Sequence, residues 1–226
     1  MTLIIKSGTL ITASERFTAD ILIEGEKITE IGMDLDIADA EVVDASGKYV
    51  LPGGVDPHTH FDLPMFGTLS SDDHYTGHKA AAFGGTTTVI DFVPQEAGTL
   101  QENIAAWHAK ADGKAAVDFS FHMNITRLDA RTEEEIPLLP KLGITSIKVF
   151  TAYNSRLRLQ DGEIFRAMRI ARQNGLLTLL HAENGDVIDL LVSEALAAGN
   201  TSPEWHARTR PAWGAVEAAL RGIALA

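Results

Sequence analysis

The chain has 226 residues, no cysteine and a formal net charge of −12 at pH 7. The lack of cysteine excludes disulfide frameworks, cysteine zinc sites and thiol nucleophiles. The acidic balance argues against nucleic acid or a membrane surface as a partner. We expect a cytoplasmic protein, because the sequence shows neither a basic and apolar leader nor a run of about 18 apolar residues.

Residues 1–52 differ in pattern from the rest of the chain. Short β-branched runs separated by glycine-containing turns predict a small antiparallel β domain in this region. In residues 53–226, β-rich runs alternate with helical patterns, which predicts parallel strands joined by helical crossovers. The pattern gives five strand–helix units, whereas a closed parallel barrel needs eight. Either a shorter open sheet or the front portion of a barrel fits this count.

The predicted elements of the larger region follow in chain order. An apolar strand covers residues 50–60, and a helix begins near residue 70. Further strands are predicted at residues 86–92, 117–124, 145–151 and 176–181, and helices at residues 99–111, 133–142, 161–174, 186–198 and 211–226.

His58 and His60 stand one residue apart at the end of the first of these strands. Side chains two residues apart in a strand lie on the same face, so the two imidazoles form half of a metal site. This spacing alone is a weak signal, and a pair of incidental histidines is the simpler interpretation. The position at a strand end, where the active sites of such folds gather, favours the metal site.

Lys148 lies in the run 146–150, which is too apolar for a solvated lysine. A buried lysine either has a lowered pKa or pairs with a carboxylate, and such an ion pair would have no catalytic meaning. Two functional interpretations stay open: a Schiff-base amine, or an amine that captures carbon dioxide and becomes a carbamate able to bridge two cations. His181 ends the next strand, so it can face the same mouth as Lys148.

The other histidines are weaker candidates. His74 and His78 have the i, i+4 spacing of some zinc sites, but a solvated helix face is the favoured interpretation. His122 lies near the end of the third strand and could contact the metal ligands. His108 and His206 are expected on the surface.

Three motifs together resemble the ligand set of the cyclic amidohydrolases. They are His58-Thr59-His60, the lysine within residues 147–150 and the histidine within residues 180–183. The segments 61–68 and 81–92 resemble the dihydropyrimidinase and D-hydantoinase branch, and the resemblance runs along essentially the whole chain. It implies an α/β fold of the (β/α)8 TIM-barrel type, present through about the fifth unit, with a small antiparallel β-sandwich portion at the N-terminus.

The resemblance also implies a binuclear centre of two divalent metal ions, with zinc expected and manganese or cobalt as alternatives. His58 and His60 would bind one ion and His181 the other. Lys148, carbamylated by carbon dioxide or bicarbonate, would bridge both. Tyr153 would polarise the scissile carbonyl and stabilise the oxyanion.

The implied reaction is hydrolysis of a cyclic amide, a dihydropyrimidine or a 5-substituted hydantoin, to an N-carbamoyl amino acid. Dihydroorotase is disfavoured because Phe61 and Asp62 stand where that enzyme is expected to have an arginine. An allantoinase-like hydrolase and a non-catalytic interaction module of the dihydropyrimidinase-related type are the alternatives. A homo-oligomer, tetramer or dimer, is expected. The expected substrate pocket is formed by Leu63, Met65, Phe66, Phe150 and Tyr153.

The remaining ligands of that family have no counterpart in this sequence. They are a histidine at the sixth strand and an aspartate at the eighth, which is also the proton shuttle. We therefore expect these 226 residues to carry most of the metal site and to show no appreciable ring hydrolysis by themselves.

Overall fold

The chain forms two units, Met1–Gly54 and Val55–Ala226, in a computed structural model that describes residues 1–65 and 67–226. The first unit contains one five-stranded sheet, in which β1 pairs antiparallel with β2 and β2 pairs antiparallel with β3. β4 and β5 both pair parallel with β1, so the sheet is mixed and not purely antiparallel as predicted. The strands are β1 (Thr2–Ile11), β2 (Arg16–Glu24), β3 (Lys27–Gly32), β4 (Glu41–Asp44) and β5 (Tyr49–Val50).

The first strand, β1, is one long element although the sequence pattern predicts two short ones. Its pairing with β2 shifts register between Ile5 and Gly8, and this irregularity explains the break in the pattern. At Gly8 an added Cβ would overlap the side chain of Val50, so the glycine lets β5 approach β1 closely.

In the second unit, a five-stranded sheet in the order β12-β11-β10-β9-β6 positions the candidate site. The pairs β9–β10, β10–β11 and β11–β12 are all parallel, as the alternation of strands and helices predicts. The fold class is therefore α/β. The strands of this unit are β6 (Gly54–Thr59), β7 (Pro64–Met65), β8 (Thr68–Leu69), β9 (Thr86–Val93), β10 (Asp118–Asn124), β11 (Ser146–Phe150) and β12 (Leu177–His181).

The helices of the second unit begin at polar capping residues. Asp73 and Thr99 each accept a hydrogen bond from the backbone three residues on and complete capping boxes at α1 and α2. Asp129 and Asn184 cap α3 and α5 in the same way. The helices are α1 (His74–Phe83), α2 (Leu100–Ala111), α3 (Ala130–Glu135), α4 (Asp161–Gln173), α5 (Gly185–Ala197), α6 (Glu204–Arg208) and α7 (Ala212–Leu225).

The structure corrects two of the predicted elements and adds others that were not predicted. The single strand predicted at residues 50–60 is two strands in different sheets, β5 and β6, separated by Pro52 and Gly53. The helix predicted at residues 133–142 is α3 followed by a 3₁₀ helix, Ile136–Leu142, because Pro137 and Pro140 have no N–H to donate. The short helix α6 was not predicted from the sequence.

β11 is the strand that places the core on one side and the candidate site on the other. All five of its residues are buried. Ile147 and Val149 belong to the hydrophobic core between the sheet and its helices, which also contains Met123 and Ile164. By strand alternation, Lys148 lies on the opposite face. Within residues 1–65 and 67–226, no helix combines the length and apolar character needed to cross a membrane.

Candidate metal centre

His58 and His60 lie side by side at the carboxyl end of β6, as the sequence predicts. Their ring centroids are 5.2 Å apart, and both rings contact Phe92 of β9, at 4.6 and 5.1 Å. Partial burial lowers the pKa of both imidazoles, and the positive charge of Lys148 lowers both further. Both rings are therefore held in the neutral form that can bind a metal ion.

Lys148 is buried, with 8% of its surface exposed, which confirms the prediction for this strand. Its Nζ lies 5.6 Å from the ring centroids of both Phe92 and Phe150. Among the described residues, no carboxylate forms an ion pair with it, so the simple ion-pair interpretation is not supported. Burial lowers the pKa of Lys148, which favours the neutral and nucleophilic amine.

His181 and Tyr153 lie on the other side of Lys148. His181 ends β12 directly opposite Phe150 of β11, and the two rings stack with centroids 5.8 Å apart. The ring of Tyr153 lies 5.0 Å from that of His181. His181 Nε2 is 2.6 Å from Glu183 Oε2, so a carboxylate engages one ring nitrogen and leaves Nδ1 as the nitrogen for a ligand.

Thr151 joins the loops that carry Tyr153 and His181, a role that the sequence analysis missed. Its N–H donates to the carbonyl of His181 at 3.0 Å. Its hydroxyl lies 2.8 Å from the carbonyls of both His181 and Glu183, and it accepts the N–H of Glu183 at 3.0 Å. The loops after β11 and β12 are thus fixed to each other.

Tyr153 has a left-handed backbone conformation, with φ of 65°. Its carbonyl accepts the N–H groups of Arg156, Leu157 and Arg158 at 2.9, 3.0 and 3.3 Å. A non-glycine residue in this region is disfavoured by about 1 kcal/mol or more, and such residues cluster at functional sites. The three hydrogen bonds offset that cost and hold the turn on which the phenol is carried.

His122 is buried beside the site instead of in it. Its Nε2 donates to the carbonyl of Pro57, at 3.0 Å, and its Nδ1 contacts the hydroxyl of Ser146. Its ring also packs on Phe92, with centroids 4.8 Å apart. His122 therefore ties β10 to β6 and β11 next to His58.

His74 and His78 are both 0% exposed, so the interpretation of a solvated helix face is wrong. His74 Nδ1 lies 3.3 Å from His78 Nε2, and the ring of Phe61 packs on both imidazoles with centroid distances of 5.4 Å. Burial, followed by the charge of His78, lowers the pKa of His74 to about 4. The helix α1 instead exposes Tyr75 and Phe83.

Asp91 is a second residue that the sequence analysis missed. It is 1% exposed in β9, and burial raises its pKa to about 7 although the backbone N–H groups of Phe92 and Phe61 donate to it. Its oxygens lie 4.0 Å from His60 Nδ1 and 3.7 Å from His74 Nε2. The only signal in the sequence was an acidic residue inside an apolar strand.

The residues predicted for the substrate pocket lie in different surroundings. Leu63 packs against the core, whereas Met65 is exposed in the β7–β8 hairpin. Phe150 is buried and Tyr153 is exposed. Phe66 lies outside the described residues. An open hollow of about 670 Å³ is lined by Pro64, Met65, Gly67, Thr68, Leu69 and Arg156.

Comparison with known proteins gives close relatives over the whole chain. A D-hydantoinase of Geobacillus stearothermophilus is 49% identical over 213 residues, which is 93% of this chain and 45% of the relative. A dihydropyrimidinase of Rattus norvegicus is 37% identical over 99% of this chain and 44% of the relative. The crystal structure of dihydropyrimidinase from Brevibacillus agri NCHU1002 superimposes with a TM-score of 0.97 and 49% identity, over all of this chain and 49% of that one.

The chain is a relative of the D-hydantoinases and dihydropyrimidinases. It corresponds to an N-terminal portion of them and spans about half the length of the curated relatives it matches. No protein-family model matches the sequence. The resemblance that the motifs suggested is thereby confirmed.

The donor set of this hydantoinase-like site fits a divalent ion in part. Among residues 1–65 and 67–226, no three His, Cys, Asp or Glu side chains come together in a group able to hold a metal ion. The two neutral imidazoles of His58 and His60 supply two donors. A carbamate on Lys148 would add a carboxylate-like donor. In the described part of the chain no carboxylate pairs with that amine, which leaves it available for carbamylation.

Proposed function

We propose that this chain forms the first part of a (β/α)8 barrel whose metal centre hydrolyses a cyclic amide, a dihydropyrimidine or a 5-substituted hydantoin, to an N-carbamoyl amino acid. One observation carries the proposal: strands of a single sheet hold His58 and His60 at the end of β6, Lys148 within β11 and His181 at the end of β12. The relatives of the chain are named D-hydantoinase and dihydropyrimidinase. Because the chain spans about half of those relatives, the activity of the whole enzyme is part of the proposal.

In this proposal His58, His60, His181 and a carbamylated Lys148 would hold the divalent metal ions. Zinc fits the imidazole donors best, and manganese or cobalt are alternatives. When bound, such ions lower the pKa of water and so supply hydroxide near neutral pH. The neutral state of the two exposed imidazoles supports this assignment.

The chemistry of a buried amine with no ion-pair partner among the described residues supports carbamylation. The lone pair of Lys148 Nζ attacks the carbon of carbon dioxide, an N–C bond forms, and one C=O π bond becomes a C–O⁻ bond. The amine proton leaves to solvent. The product is an anion on a long stem, which can approach cations, whereas a protonated lysine would repel them.

Tyr153 is the residue that we assign to the substrate carbonyl. Its phenol O–H would donate to the carbonyl oxygen as negative charge develops there. The fixed turn at Tyr153 supports this role, because a donor that is already positioned needs no reorganisation during the reaction. Met65 and Phe150 would contribute apolar surface for the ring substituent.

Zinc binding and the carbamylation of Lys148 are tested by native mass spectrometry of this chain with zinc and ¹³C-bicarbonate. We expect the wild-type chain to gain one carbon dioxide and to bind zinc, and Lys148→Ala to lose both. Lys141→Ala, at an exposed lysine, is the matched control and should keep both. A zinc-loaded wild-type chain without the added mass would contradict the carbamate.

The reaction is tested by the loss of ultraviolet absorbance as dihydrouracil or a hydantoin ring opens. The assay compares this chain with a fusion to the C-terminal half of the Geobacillus stearothermophilus relative. We expect turnover by the fusion, none in its Lys148→Ala variant, and a kcat about 10² to 10³ lower in its Tyr153→Phe variant. A folded, zinc-loaded fusion that opens neither ring would overturn the proposed function.

A further inference from the structure

Asp91 is a buried carboxylate that no step of the proposed reaction uses. Its Oδ1 accepts the N–H of Phe92 at 2.8 Å, and its Oδ2 accepts the N–H of Phe61 at 3.2 Å. A carboxylate buried this deeply in an apolar strand is costly unless it is hydrogen-bonded. The bond to Phe61 fixes the backbone immediately after His60, so Asp91 already constrains the His58–His60 segment.

The ring of His60 lies within reach of the same carboxylate. His60 Nδ1 is 4.0 Å from Asp91 Oδ1, which is longer than a hydrogen bond but close enough for a small rotation of the ring to form one. Within residues 1–65 and 67–226, no hydrogen-bond partner of this nitrogen is present. His60 follows the last residue of β6, Thr59, and its side chain is 40% exposed.

A purely structural role for Asp91 would act through α1 instead. Asp91 Oδ2 is 3.7 Å from His74 Nε2, and both groups are almost fully buried. His74, however, already contacts His78 through its other ring nitrogen, at 3.3 Å. The two roles differ in which histidine depends on the carboxylate, so they can be separated by experiment.

We propose that Asp91 is a positioning residue for His60. It accepts the Nδ1–H of that ring, selects this tautomer, and so leaves the Nε2 lone pair directed at the metal ion, an arrangement common among metal-binding histidines. The proposal rests on the proposed metal centre for its purpose. The tautomer itself is a property of the metal-free chain.

The first test reads the ring nitrogens of His60 by long-range ¹H–¹⁵N NMR of the metal-free wild-type chain, assigned with His60→Gln. We expect the proton on Nδ1, whereas an unconstrained histidine in water favours Nε2–H. A ring protonated on Nε2 in the wild-type chain would overturn the proposal. This outcome does not depend on whether any variant folds or any metal binds.

The second test measures zinc affinity by competition with a chelator. Asp91→Asn should bind zinc about 10 to 100-fold more weakly, in the range found when partners of ligating histidines are removed. His74→Gln is the matched variant on the other side of the carboxylate and should bind zinc as the wild type does. An equal loss of zinc affinity in both variants would show that Asp91 acts through the packing of α1, and it would reject the role at His60.

Failure of the proposed function would look different. A folded wild-type chain that binds no zinc would reject the proposed metal centre. In that case, loss of the Nδ1–H tautomer of His60 in Asp91→Asn would still show that Asp91 determines this tautomer. Unchanged ring shifts in a folded Asp91→Asn chain would reject the inference even where zinc binds normally.

Discussion

Two histidine pairs in this chain have spacings found in metal sites, and the structure places them in opposite surroundings. His58 and His60 are exposed at the end of β6, beside Lys148. His74 and His78 are fully buried on α1, with a nitrogen of each ring pointing at the other. Spacing decides which side chains share a face, but burial decides whether that face can receive a ligand.

The two pairs lie close to each other in the fold. Phe61, the residue after His60, packs against both buried imidazoles, with ring centroids 5.4 Å apart in each case. Asp91 lies between His60 and His74. Phe61 therefore belongs to the buried surroundings of α1, while its neighbour His60 stays at the exposed end of β6.

The largest expected effect is on metal binding at the exposed pair. His58→Ala removes an exposed imidazole and little packing, so zinc affinity should fall by more than about 100-fold while the unfolding temperature stays the same. Isothermal titration calorimetry and thermal unfolding followed by circular dichroism measure the two quantities.

The same substitution in the buried pair gives the opposite pattern. His78→Ala should keep zinc affinity but lower the free energy of unfolding by about 2 to 4 kcal/mol, because it leaves a cavity and removes the partner of His74. Urea unfolding measures this loss. A lower zinc affinity of a folded His78→Ala chain would contradict the distinction between the two pairs.

The next effect is a pH dependence that comes from His74. Burial lowers the pKa of this histidine to about 4 in the folded chain, whereas the unfolded chain takes up the proton near pH 6.5. The unfolded state therefore binds more protons, so stability is full above the unfolded pKa and is lost as pH falls towards the folded one.

His74→Gln should remove this dependence. Between about pH 7 and about pH 5, the wild type should lose about 2 kcal/mol more stability than the variant does. Asp91 and His78 face His74 and are present in both proteins, so the difference between the two slopes reports His74. Equal slopes in urea unfolding would show that folding does not lower the pKa of His74.

The smallest expected effect is at Gly77, which lies between the two buried histidines in sequence. A Cβ at this position would overlap the ring of Phe61, so Gly77→Ala should cost about 1 kcal/mol after the gain in helix propensity is subtracted. Gly162→Ala in α4 is the matched control, because its Cβ would meet nothing within 4 Å, and it should be neutral or stabilising. A stabilised Gly77→Ala chain would show that Phe61 moves freely.

Much of the fold was predictable because its signals are local. The capping residues Asp73 and Thr99 fix helix starts from neighbouring residues alone, and strand alternation places Lys148 on the face opposite to the core. The prolines at 137 and 140 could have predicted the 3₁₀ helix after α3, since their missing donors are visible in the sequence.

The missed features depend on partners that are distant in the chain. Asp91 bonds to the backbone of Phe61, and Thr151 bonds to that of His181, each across 30 residues. The burial of His74 likewise depends on Phe61 and β9, which a helical pattern that begins near residue 70 does not reveal. Local patterns identify residues that can act at a site, but not those that hold them in place.

The left-handed turn at Tyr153 has a consequence for how a ligand would meet the site. The unfavourable torsion is compensated within the loop itself, by three amides that converge on a single carbonyl. The entropy of ordering this loop is therefore lost when the chain folds and not again at each encounter. A ligand would meet a loop whose backbone is already ordered, so none of its binding free energy would be lost in ordering that loop.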